Sequence, residues 1–68
     1  MPFEITVNGE RRTAAEGQTI FDLLVQLQIE PERVAVEMDR RLVKQPQWRE
    51  TALKPGAQLE IVQFVGGG

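Results

Sequence analysis

Residues 3–14 read Phe3-Glu4-Ile5-Thr6-Val7-Asn8-Gly9-Glu10-Arg11-Arg12-Thr13-Ala14. Phe3, Ile5 and Val7 alternate with Glu4, Thr6 and Asn8, the period of two that puts apolar side chains on one face of a half-buried strand. Asn8-Gly9 follows at once. Both residues tolerate the positive φ that a type I′ turn demands, and this dipeptide is the strongest short hairpin signal. A second strand is therefore expected to run back through Arg11 to Ala14, antiparallel to the first, with Gly17 ending the hairpin.

Working outward, Thr19 is a good helix N-cap and Asp22 stands three residues on, a variant of the capping box. Ile20, Leu23, Leu24 and Leu27 recur at i, i+3, i+4 and i+7, one face of an amphipathic helix. Pro31 cannot continue it and disfavours helix in the residue before, so the helix is expected to stop before Glu30. Val34, Val36 and Met38 alternate with Ala35 and Glu37 as a third strand. Asp39-Arg40 reads as its turn and Leu42-Val43 as a short returning strand. Pro46, Gln47 and Trp48 belong to an irregular crossing segment. Lys54-Pro55-Gly56 places Pro and Gly at the central positions of a type II turn. A last strand runs from about Gln58 to Phe64. One helix folded over a mixed sheet in this order makes a two-layer α+β domain. Its core is expected from Phe3, Ile5, Val7, Val34, Val36, Leu59, Ile61 and the helix stripe.

Composition narrows the chemistry. Sixty-eight residues make one domain, and a chain of that size buries only about 60% of the surface it exposes unfolded. With 41% hydrophobic and 26% charged residues it is globular, and a net charge of −2 argues against nucleic acid as a partner. There is no cysteine and no histidine. The commonest nucleophile, general base and soft metal ligands are therefore missing, and an independent enzyme is not expected. Glu37 and Asp39 have no metal-ligand spacing around them and read as a charged turn. No apolar run approaches the roughly 20 residues of a membrane span, nor does the N-terminus carry a signal-peptide pattern, so a cytoplasmic protein is the default reading.

The sequence ends Gly66-Gly67-Gly68. Glycine loses the most backbone entropy on ordering, so three in succession do not serve stability. They permit close backbone approach and passage through a channel too narrow for side chains. A terminal carboxylate is ionised at neutral pH and a poor acyl donor until activated, for instance by adenylation. Taken alone the run fits a frayed end equally well. However, the other three glycines (Gly9, Gly17, Gly56) all have turn duties, and the tail follows the last strand with no linker. If Leu59 and Ile61 face the core, Val62 and Phe64 face outward, and with Val65 they form an apolar patch at the root of the tail. The competing readings are a cover by Trp48 or the irregular segment, or a twist that turns Phe64 inward. Trp48 itself reads as a core lid rather than an interface anchor.

The hairpin with Asn8-Gly9, the helix opening at Gln18-Thr19-Ile20 and its Leu23-Leu24 pair carry a family likeness. So do the strand Val34-Ala35-Val36-Glu37-Met38 and the ending from Leu59 through Phe64-Val65 to Gly68. Together they resemble the ThiS family of sulfur carrier proteins of thiamine thiazole biosynthesis, over essentially the whole chain. The resemblance implies a ubiquitin-like β-grasp fold, an α+β domain with one main helix on a mixed sheet of four to five strands. Residues 1–65 would be that domain and 66–68 a flexible tail. It implies that Gly68 is adenylated and converted to a thiocarboxylate, with Gly67 the other member of the family's terminal pair. Gly67, Gly66, Val65, Phe64 and Val62 would meet the partners. Those partners would be a ThiF-like adenylating enzyme that uses ATP, a ThiG-like thiazole synthase that accepts the sulfur, and a sulfur donor such as a cysteine desulfurase. The chain would bind no cofactor, no metal, no nucleic acid and no membrane, and would be a monomer when free. Without cysteine it has no persulfide of its own, which leaves the carboxylate to carry the sulfur. Three alternatives remain: the small subunit of molybdopterin synthase, from which Gln63-Phe64-Val65 departs, a ubiquitin-like modifier, and a non-covalent binding module.

Overall fold

A computed structural model describes residues 1–64. The opening hairpin follows from its turn chemistry. Strands β1 (Phe3–Val7) and β2 (Glu10–Ala14) pair antiparallel from Phe3 opposite Ala14 to Val7 opposite Glu10. Asn8 and Gly9 sit between them at φ 51° and 83°, both in the left-handed region that a type I′ turn requires.

Helix α1 (Ile20–Gln26) is only seven residues long, too short to persist in water without packing and caps. It has both. The Asp22 backbone N–H donates to the Thr19 hydroxyl at 3.1 Å, and the Thr19 N–H donates to the Asp22 carboxylate at 3.0 Å. This is a capping box with aspartate in the place glutamate usually takes. At the other end the Gln28 and Ile29 N–H groups donate to the Val25 and Leu24 carbonyls, at 3.0 and 2.9 Å, with Gln28 at φ 59°. That is a Schellman motif with glutamine where glycine is usual. The helix thus stops through Gln28, before Pro31 acts. Pro31 instead opens a short 3₁₀ turn, Pro31–Arg33.

β3 (Val34–Met38) and β4 (Arg41–Val43) form a second tight hairpin through Asp39 and Arg40, at φ 53° and 70°. The crossing segment contains a 3₁₀ turn, Gln45–Gln47, then Trp48. Lys54-Pro55-Gly56 turns as the sequence predicts: the Ala57 N–H donates to the Lys54 carbonyl at 3.0 Å and Gly56 lies at φ 79°. β5 (Gln58–Gln63) follows. The five strands lie in the order β2-β1-β5-β3-β4, with β5 in the middle, parallel to β1 and antiparallel to β3.

The core lies between the sheet and α1. Ile5, Val7, Val34, Val36, Leu59 and Ile61 from the sheet meet Ile20, Leu23 and Leu24 from the helix. Phe3 and Leu27 are only partly buried against them. Trp48 closes one side, 2% exposed, its indole N–H donating to the Val43 carbonyl at 2.7 Å. Leu53 and Ala57 join from the irregular segment, where no periodicity announces them, and Ala14 of β2 completes the set. Backbone bonds fasten that segment to the start of the helix: Ile20 N–H to Thr51, Phe21 N–H to Trp48 and Leu53 N–H to Gln18. The Arg49 guanidinium also lies 3.8 Å over the Phe21 ring. Each fully buried Leu or Ile contributes about 1.5–3 kcal/mol, so this small core depends on nearly all its members. Among the described residues no helix is long and apolar enough to cross a membrane.

Candidate functional site at the root of the tail

β5 precedes the glycine run in the sequence, and its alternation decides which side chains it shows on each face of the sheet. Leu59 and Ile61 point into the core, so Val62 and Phe64 emerge on the opposite face of the sheet. They are 56% and 58% exposed. Trp48 does not cover them, because it is buried on the helix side. Phe64 is not twisted inward either: its N–H continues the β3 ladder by donating to the Arg33 carbonyl at 2.8 Å. Val62 and Phe64 are therefore an exposed patch.

The register gives the patch its neighbours. Ala35 stands opposite Val62, and Glu37 opposite Glu60. Leu42 of β4 stands opposite Glu37 and is itself exposed. The open face of the sheet across β4, β3 and β5 thus carries four apolar side chains, Ala35, Leu42, Val62 and Phe64, around two carboxylates. Among the described residues neither Glu37 nor Glu60 takes part in an ion pair. Like charges directly opposite on a sheet are mildly unfavourable, so the Glu37–Glu60 pair adds nothing to stability. Val65, Gly66, Gly67 and Gly68, the other four residues assigned to the site, lie outside the described residues. No group of three or more potential metal ligands occurs among the residues described.

Two side chains that read as turn formers do more. Asn8 reaches β5: its Oδ1 accepts from the Ile61 N–H at 2.7 Å, and its Nδ2 donates to the Ile61 carbonyl at 3.2 Å. Asp39 Oδ1 accepts from the Gln58 N–H at 3.0 Å, at the start of the same strand. The central strand is held by a side chain from each flanking hairpin. The one signal in the sequence was the choice of Asn and Asp rather than Gly at these turns. Nothing local names a partner 53 residues away in Asn8's case.

A mixed sheet in this order with a single helix across one face, and a strand at its centre running out to a glycine tail, defines a ubiquitin-like β-grasp protein. A model of the ThiS family matches residues 5–68, through the last glycine. The chain belongs to the ThiS family. It is 29% identical over 65 residues to the sulfur carrier protein ThiS of Escherichia coli strain K12, covering 96% of this chain and 98% of that protein. The crystal structure of a thiamine biosynthesis protein (ThiS) from Geobacter metallireducens superposes with a TM-score of 0.80 at 29% identity, over 97% of this chain and 100% of the other. Similarity also extends to the thiazole synthase of Magnetococcus marinus strain MC-1, at 38% identity over 65 residues, and to that of Paramagnetospirillum magneticum strain AMB-1, at 35%. In both, this chain matches 96% of its own length but only 20% of theirs.

Proposed function

We propose that this chain is a sulfur carrier for thiazole formation, in which the Gly68 carboxylate is the reactive group. The observation that carries the reading is the family match, which extends through Gly68. The carboxylate attacks the α-phosphate of ATP on a ThiF-like adenylating enzyme, releasing pyrophosphate and forming an acyl adenylate. Sulfide, released by a thiol reductant from the persulfide of a donor such as a cysteine desulfurase, then displaces AMP and leaves a thiocarboxylate. A thiazole synthase accepts that sulfur, and the carboxylate is regenerated.

The chain's own part is presentation. Gly66 and Gly67 have no side chains to obstruct entry into a nucleotide site, and ATP is bound by the partner rather than by this chain. Val62, Phe64 and Val65 are the apolar contacts at the root of the tail, where partner sites commonly form. The similarity of the whole chain to one fifth of two thiazole synthases supports such an enzyme as the sulfur acceptor, since there the matching stretch and the synthase share one polypeptide.

The test is incubation with an adenylating enzyme, ATP and a sulfur source, followed by intact mass. Exchange of one oxygen for sulfur is the expected result. Conjugation to another protein instead makes the chain a modifier. An unchanged mass beside an active enzyme leaves a non-covalent binding module.

A further inference from the structure

Near its end β5 is supported unequally at its two sides. Toward β3 the ladder continues to the last described residue: Val34 stands opposite Gln63, and the Phe64 N–H reaches the Arg33 carbonyl. Toward β1 the strand pairing stops at Val7 opposite Leu59, because the chain turns away at Asn8-Gly9. What continues on that side is Asn8 itself. Its backbone N–H donates to the Leu59 carbonyl at 2.8 Å, and its side-chain amide both accepts from and donates to Ile61. One carboxamide thus stands in for the next residue of a strand that is no longer there. Aspartate in its ionised form only accepts, so it cannot make the second of these bonds.

We infer that Asn8 is a positioning residue for the reaction at the terminal carboxylate, because it fixes the direction in which the chain leaves β5 at Phe64. The inference rests on the carrier reading above. Ile61 lies three residues before Phe64, and Val62 of the exposed patch lies between them. Without the amide, the end of β5 is held by β3 alone and is free to twist about that single ladder. The reacting carboxylate then starts from a less determined point and spends less time aligned with the nucleotide. Misplacement by about 1 Å costs on the order of 100-fold in reactions that depend on alignment.

Asp39 supplies a matched control. It clamps Gln58, at the end of β5 away from the tail, through one side-chain bond and one backbone bond at 2.8 Å. Asn8 and Asp39 have nearly the same φ, 51° and 53°, in a region where glycine is at ease. Asn8→Gly and Asp39→Gly therefore each remove a side-chain clamp without straining the turn.

The experiment measures ATP–pyrophosphate exchange by the adenylating enzyme with the full chain and each variant, well below every unfolding midpoint. Asn8→Gly is expected to lower kcat about tenfold while KM for the carrier stays within about twofold, with faster amide exchange at Ile61. Asn8→Asp, which keeps the acceptor and loses the donor, falls between it and the wild type. Asp39→Gly keeps kcat, even where its unfolding midpoint drops as far as that of Asn8→Gly. Wild-type kcat in Asn8→Gly, or an equal loss in Asp39→Gly, makes Asn8 a structural clamp only and overturns the proposal. A wild-type chain that is not adenylated at all removes the carrier reading instead, and this inference with it.

Discussion

Replacing Gln28 by glycine is expected to stabilise the domain, although it removes a side chain and adds none. Gln28 occupies the left-handed position that ends α1, at φ 59°. For a residue with a Cβ that conformation costs about 1–2 kcal/mol. Glycine escapes the cost but has more freedom to lose on folding, which takes back about 0.5–1 kcal/mol. The net gain spans about 0–1.5 kcal/mol with its centre near 0.75 kcal/mol, and at this chain length 1 kcal/mol moves the unfolding midpoint by roughly 4–8 °C. Arg40, at φ 70° in the β3–β4 turn, offers the same gain, while Asp39 beside it is left in place to hold Gln58. The two substitutions lie in separate hairpin and helix ends, so their effects should add. Urea unfolding followed by the fluorescence of Trp48, the sole tryptophan, reads the change directly. Gln28→Ala keeps the Cβ and should gain nothing. A Gln28→Gly variant no more stable than Gln28→Ala would refute the reasoning.

Three further substitutions test other parts of the account. Thr19→Ala removes the acceptor for the Asp22 N–H and should cost about 1 kcal/mol in urea unfolding. Trp48→Phe removes the indole donor to the Val43 carbonyl and shrinks a buried ring; a loss of about 2–3 kcal/mol is expected, followed by circular dichroism since the fluorophore is gone. Phe64→Asp places a charge in the exposed patch and should raise the KM for the adenylating enzyme about tenfold, with stability changed by no more than about 0.5 kcal/mol. Unaltered KM in the last case would remove Phe64 from the interface.

The elements whose signals are local were readable from the chain. Asn8-Gly9, the Thr19–Asp22 box and Pro55-Gly56 each specify a conformation within four residues, and each forms as expected. Alternation likewise placed Leu59 and Ile61 inward and Val62 and Phe64 outward. The helix terminus was legible only in position: Pro31 is the obvious stop, yet Gln28 ends the helix first by adopting a conformation that nothing in glutamine's chemistry favours. Leu53 and Ala57 entered the core unannounced, since an irregular segment has no period to read. The clamps at Asn8 and Asp39 were invisible for a deeper reason. Their partners are backbone atoms of β5, and backbone atoms carry no sequence identity, so only the folded sheet discloses which carbonyl an amide meets.

The central claim is that the reactive atom belongs to Gly68. Treat the full chain with the adenylating enzyme, ATP and a sulfur source, digest it, and fragment the C-terminal peptide in the mass spectrometer. Sulfur is expected in place of one oxygen on the last residue, and none in a chain with Gly68 deleted, although the deleted chain unfolds at the same temperature. Sulfur found on any other residue, or equal modification of the deleted chain, would contradict it.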